Sequence, residues 1–170
     1  MENTGHFEKA FLEVIGHEGG YVNDSHDRGS ETKYGISKRA YPHLDIKNLD
    51  LQEAKHIYQH DYFSTPRLAL ERVSNEKIAM EVFNTAVVMG VGTAGKMLQK
   101  ALNLLNRNGR LYDDLKVDGW LGEVTLSAIA MVEPRRLLKT LNGLQFCRFK
   151  EIVENDPTQE RFFAGWLERV

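Results

Sequence analysis

The chain holds 170 residues, enough for one domain with a substantial core or a domain with a small appended lobe. Its 42% hydrophobic and 27% charged residues are ordinary for a globular protein, and no apolar run reaches the length that spans a bilayer. A formal charge of −2 argues against a nucleic-acid-binding domain held by phosphate neutralisation, and a single cysteine, Cys147, excludes an intramolecular disulfide.

Phe7, Ala10, Phe11, Val14 and Ile15 recur at helical intervals, which predicts an amphipathic first helix over 5–17. The next slot on that stripe is Glu18, followed by Gly19, Gly20 and Tyr21, where the glycine pair frees the backbone to turn. From 21 to 36 the composition changes to Asn, Asp, Ser, Gly and Thr, and a hairpin or irregular loop is expected around Arg28-Gly29-Ser30. Ser37 is expected to cap a brief helix that Pro42 limits. Asp50 with Glu53 three residues on reads as a capping box, opening a helix through Tyr62 whose apolar face is Leu51, Ala54, Ile57 and Tyr58.

Ile78, Val82, Thr85, Ala86 and Met89 predict a helix over 75–90, and Gly90, Gly92 and Gly95 mark places where backbones turn or pack closely. Met97, Leu98, Ala101, Leu102 and Leu105 form the next helix, with Asn108-Gly109 as its expected stop. Helices near 123–132 and 135–155 follow, and Asp156-Pro157 breaks the run before a closing Phe162-Phe163-Ala164-Gly165-Trp166. Cys147 falls within an apolar helical pattern and reads as a small buried hydrophobe. The pattern as a whole is all-α with a small β-hairpin.

A carboxylate on a core-facing slot is costly to ionise, so Glu18 is a candidate for a proton held near neutrality, which is what a general acid requires. The alternative is a solvated carboxylate at a helix end. Asp27 follows Glu18 by nine positions, with Thr32 five further on, and a helix end plus a hairpin lets the chain fold back between them. Two carboxylates in unlike environments, one protonated and one ionised, are the machinery of glycosidic bond cleavage. The Thr32 hydroxyl, which both donates and accepts, suits the holding of a water.

Glu18-Gly19-Gly20-Tyr21, then Asp24, Asp27, Gly29, Thr32 and Tyr34-Gly35-Ile36-Ser37, resembles the signature of glycoside hydrolase family 108, the N-acetylmuramidases of phage endolysins and secretion-associated muramidases. The resemblance implies a lysozyme-like helical fold and Glu18 as catalytic acid. The order Glu, Asp, Thr is also similar to the triad of phage-type lysozymes, with an Asp-to-Thr gap one residue shorter. That suggests Asp27 as second carboxylate and Thr32 as water positioner. Ile57-Tyr58 to Tyr62-Phe63, Val82 to Val87 and Ala94 to Leu102 continue the likeness. Val117 to Thr125 resembles an Asp-Gly-x-x-Gly-x-x-Thr element of a peptidoglycan-binding lobe, and Phe163 to Val170 the usual C-terminus. Ser25, Ser30 and Val88 depart from a common proline, glycine and asparagine.

The expectation is a catalytic region over 1–92 and a peptidoglycan-binding helical region over 93–170 packed on it. The resemblance implies hydrolysis of the β-1,4 bond between N-acetylmuramic acid and N-acetylglucosamine. A lytic transglycosylase and a non-catalytic wall-binding protein are the alternatives. Tyr21, Tyr34, Asn84 and Trp120 are candidate substrate contacts: a tyrosine ring with its hydroxyl suits a sugar, Trp120 between two glycines suits a peptide or glycan, and the Asn84 amide can reach the cleft from its helix. An EF-hand started at Asn23 fails at Arg28 and Tyr34, and His56 with His60 lack a third ligand, so no metal is expected. No cofactor is implied. The expected partner is the glycan strand of bacterial peptidoglycan, met by a monomer without nucleic acid or stable membrane insertion. The first residues lack a basic segment followed by a hydrophobic stretch. Cytoplasmic synthesis is therefore expected, with access to the wall through a holin-like pore or another export route.

Overall fold

The computed structural model describes residues 4–16, 20–24 and 30–168. Helix α1 (Thr4–Ile15) lays Phe7, Ala10, Phe11 and Val14 into the core, as their spacing predicts. Phe7 stacks on Phe11 at 5.7 Å between ring centroids and meets Phe63 and Phe83 edge-on at 5.3 and 5.9 Å. Each such ring removed from water contributes roughly 1.5–3 kcal/mol, so this cluster fixes where α1 lies. The helix stops two residues before the expected end, where the Gly16 N–H closes its last turn on the Leu12 carbonyl at 2.9 Å. Glu18 and Asp27 lie outside the described residues.

The polar stretch forms a three-stranded antiparallel sheet in the order β1 (Val22–Asp24), β2 (Ser30–Lys33), β3 (Ile36–Ser37). Val22 pairs with Thr32 and Asn23 with Glu31, and Thr32 pairs in turn with Ser37. The expected hairpin therefore gains a third strand. Tyr34 and Gly35, with φ of 52° and 73°, make the two-residue turn of the primed kind that matches strand twist. Ser37 caps a single turn, its Oγ accepting from the Ala40 N–H at 3.3 Å, and no longer helix develops.

The capping box at Asp50 and Glu53 is formed in both directions, at 2.8 and 3.0 Å, and opens α2 (Leu51–Tyr58), which widens into a π-helical turn over Gln59–Phe63. Ala54 and Tyr58 are buried, but Leu51 is 41% exposed, against expectation. Helical side chains lean toward the N-terminus, so a first-turn residue overhangs the end of the core.

Helix α3 (Glu76–Met89), capped by the Asn75 side chain on the Ile78 N–H, is the centre of the molecule and packs on α1, α4 (Val91–Leu105) and α6 (Pro134–Asn155). Gly90, at φ 89°, turns the chain between α3 and α4. Helix α4 ends at Leu105, earlier than Asn108-Gly109. Asn106 sets that stop: its buried amide donates to Asp114 at 2.6 Å and accepts from the Gly109 N–H at 3.2 Å, wrapping a turn of left-handed residues over 107–109.

Helix α5 (Glu123–Met131) follows α4 after a long loop, and α6 carries Leu137, Leu141, Gln145 and Phe149 inward. Cys147 is exposed, which corrects the reading of it as a buried hydrophobe. The inner line of α6 runs in steps of four, and a residue two places from both Gln145 and Phe149 points to the opposite side. Asp156 breaks α6 and caps the 3₁₀ turn Pro157–Gln159 through the Thr158 N–H at 3.1 Å, and α7 (Glu160–Leu167) closes the described chain. The Trp166 ring stacks on Phe149 at 5.1 Å. Among the described residues no helix is long and apolar enough to cross a membrane.

Candidate active site

Of the predicted acid, second carboxylate and water holder, the described residues contain Thr32. It sits on the central strand β2, half-buried, on the sheet face shared by its cross-strand partners Val22 and Ser37. The opposite face carries Asn23 and Glu31. Tyr21 belongs with that second group, because its hydroxyl donates to Glu31 Oε1 at 2.9 Å. That bond to a carboxylate pushes the Tyr21 phenol above its ordinary range. Alternation along the strands therefore points Tyr21 and Thr32 to opposite sides of the sheet. Tyr34, in the β2–β3 turn, packs half-buried on the core, and its carbonyl accepts from the Tyr58 hydroxyl at 3.0 Å.

Asn84 lies on α3, half-buried, along a cavity of about 460 Å³ between α1, α3 and α6. Ala10, Val14, Met80 and Leu138 give that cavity apolar walls, while Glu13, Glu81 and Asn142 add polar groups. The Asn142 Oδ1 is buried without a hydrogen-bond partner among the described residues.

Glu81 is the titratable group that sequence reading missed. Burial raises its carboxyl above the usual range, the Gln145 amide that donates to it pulls the other way, and the nearby Glu13 charge raises it further. Gln145 also donates to Thr85 Oγ1, whose hydroxyl donates to the Glu81 carbonyl at 2.8 Å. This network ties α3 to α6. The signal was present: Glu81 stands three residues after Ile78 and four before Thr85, the same stripe logic that drew attention to Glu18.

The loop from Asp118 to Gly122 is built inward. Gln99 on α4 donates to Asp118 Oδ1 and to the Trp120 carbonyl, both at 3.0 Å, and accepts from the Gly119 N–H at 2.7 Å. These bonds, the Gln99 amide first and the Trp120 N–H after it, hold the Asp118 carboxyl below the ordinary carboxylate range. A side chain on Gly95 would meet the Gly119 carbonyl oxygen at 2.3 Å, and Gly119 itself has φ 82°, so neither position tolerates a Cβ without displacement. Thr125 is buried beneath the loop. Arg67 straps the loop from outside α4: its guanidinium donates to the Asp118 carbonyl at 3.0 Å, and its own carbonyl accepts from the Leu121 N–H at 2.9 Å. The Trp120 side chain turns outward, 49% exposed, with Arg67 stacked on one side of its ring at 4.6 Å.

His56 and His60 are exposed and stack ring on ring at 6.4 Å, with His60 Nδ1 2.7 Å from Asp61. No cluster of three or more His, Cys, Asp or Glu side chains placed for a metal occurs among the described residues.

A helical body with a small sheet inserted after its first helix is the mostly-α, lysozyme-like architecture. The family model described as Glycosyl hydrolase 108 matches residues 11–90, and the one described as Predicted Peptidoglycan domain matches residues 93–170. Among solved structures the chain is similar to SagA of Brucella abortus, at a TM-score of 0.75 and 26% identity over 97% of this chain and 89% of that one. No curated protein matches the sequence. The fold and the matched regions thus define a glycoside hydrolase that acts on peptidoglycan. The glycosyl hydrolase 108 match runs from within α1 through α3, and the peptidoglycan match from within α4 through α7.

Proposed function

We propose that this protein is an N-acetylmuramidase, hydrolysing the β-1,4 bond between N-acetylmuramic acid and N-acetylglucosamine with Glu18 as general acid. The observation that carries the reading is the order helix, Glu18-Gly19-Gly20-Tyr21, sheet: α1 ends at Ile15 with its apolar face fixed in the core, and β1 begins at Val22. Along the sequence, Glu18 falls between these two anchored elements and Asp27 between β1 and β2. Thr32 follows on the central strand. In this reading Glu18 protonates the leaving glycosidic oxygen as an oxocarbenium-like transition state forms. Asp27 stabilises that charge or activates the attacking water, which the Thr32 hydroxyl positions.

The proposal divides the chain near Gly90 into a catalytic region, 1–92, and a peptidoglycan-binding region, 93–170, packed on it. Asn84, Tyr34, Tyr21 and Trp120 are its candidate substrate contacts, with Tyr21 on the far face of the sheet from Thr32. The protein acts as a monomer at the cell wall, reached through a holin-like pore or another export route. Incubation with purified peptidoglycan, wild type beside Glu18→Gln, tests the core of this reading. Reducing ends from the wild type and their loss in the variant support it, whereas 1,6-anhydro product masses would reassign the enzyme as a lytic transglycosylase.

A further inference from the structure

Against the chain's net charge of −2, one groove stands out as cationic. It lies between α4 and α6, has a volume of about 310 Å³, and sets Lys96, Lys100 and Arg148 against one carboxylate, Glu151. Arg148 pairs with Glu151 at 3.2 Å, which leaves Lys96 and Lys100 without an ion pair among the described residues. Both are exposed, and between the cations run buried Met97 and half-buried Leu144. The groove does not stand alone. The Lys96 stem passes Gly119, where a Cβ would lie 3.4 Å from Lys96 Cγ and 3.2 Å from Arg67 Nη1. Lys96, which lines the groove, and Arg67, which stacks on the exposed Trp120 ring, thus approach the same glycine.

We infer that this groove binds the acidic peptide stem of peptidoglycan, with Lys96 and Lys100 meeting its free carboxylates. The inference rests on the peptidoglycan reading above and deepens it. The two faces of the polymer differ chemically: the glycan presents hydroxyls and acetamido groups, and the stem presents ionised carboxylates among short aliphatic side chains. Two unpaired ammonium groups over a methionine and a leucine complement the stem and not the sugar. The three cations that line the groove all lie in the 93–170 region matched as a predicted peptidoglycan domain, and the exposed Trp120 of the same region offers its open ring face to the adjoining saccharide.

The test uses the full chain and the free stem tetrapeptide, which a glycosidase cannot cleave. Titration of isotope-labelled protein is expected to shift amide resonances over 93–100 and 144–151. The Lys96→Gln/Lys100→Gln variant, whose replaced side chains are exposed, is expected to keep its melting profile and to bind about tenfold more weakly. Half-molar salt should erase the difference between wild type and variant. On intact sacculi the variant should show a raised KM with kcat unchanged, and on glycan strands stripped of peptide it should match the wild type. Equal affinity of both proteins for the tetrapeptide overturns the inference, as does binding of inorganic phosphate at the groove as tight as that of the stem. Failure of the wild type to release reducing ends sinks the muramidase reading alone, because the tetrapeptide titration involves no bond cleavage.

Discussion

Two glycine-bearing segments of this molecule are written in similar residues and do opposite things. The stretch from Glu18 to Thr32 and the stretch from Asp118 to Thr125 both mix acidic residues, Gly, Thr and an aromatic. In the second, Asp118, Gly119 and Thr125 all face inward or bond to Gln99, and the motif is an instruction for folding the loop onto α4. In the first, Tyr21 and Glu31 bond to each other on one face of the sheet while Thr32 is turned to the other. A shared motif style thus marks architecture in one place and, by our proposal, chemistry in the other.

The largest expected effect that would break this contrast is kinetic. Glu18→Gln should lower the rate of reducing-end release by about 10²-fold or more while leaving the urea midpoint unchanged; an active variant would strip the first segment of its chemical role. Gly95→Ala should do the reverse. The Gly119 carbonyl leaves no room for the methyl, and equilibrium unfolding should show a loss of about 1–3 kcal/mol with activity per folded molecule retained. Trp120→Ala should cost less than about 1 kcal/mol of stability, since the ring is half-exposed and its partner is Arg67. Its pull-down on sacculi should weaken about fivefold, the value of one aromatic contact near 1 kcal/mol.

Glu81 supplies the finest test, because it shares the stripe position of Glu18 with its oxygen already engaged by Gln145. Its folded pKa is raised, so the cost of burying it is absent below the unfolded carboxylate pKa. That cost grows as pH climbs through the folded value. Glu81→Gln should therefore be more stable than wild type at neutral pH, with the difference vanishing in acid; urea titrations from pH 4 to 8 would read it.

Much of this arrangement was legible in the residues. The α1 stripe, the Asp50–Glu53 box and the Asp156-Pro157 break are local signals whose partners lie within a turn of each other, and all three fold as read. What escaped was nonlocal or rested on facing. Nothing near Gly95 announces Gly119, whose backbone fills the space a side chain would need. Cys147 misled because the polar Gln145, held by Glu81 and Thr85 from another helix, occupies the true inner line of α6. The α4 stop was placed late because Asn106 terminates the helix through Asp114, a partner beyond the turn. Of the candidate site, the motif around Glu18 was read from resemblance, and the sheet pairing of Thr32 with Val22 and Ser37 came only from the structure.

Arg67 has a consequence for anyone dissecting this protein. It belongs to the stretch matched as hydrolase, yet it clasps backbone on both sides of Trp120, in the stretch matched as peptidoglycan domain. Gln145 makes a second clasp, onto Glu81 and Thr85. Splitting the gene between α3 and α4 would tear both and bare apolar faces on each fragment. The two matched regions are thus fastened to each other by side chains that reach across the boundary between them.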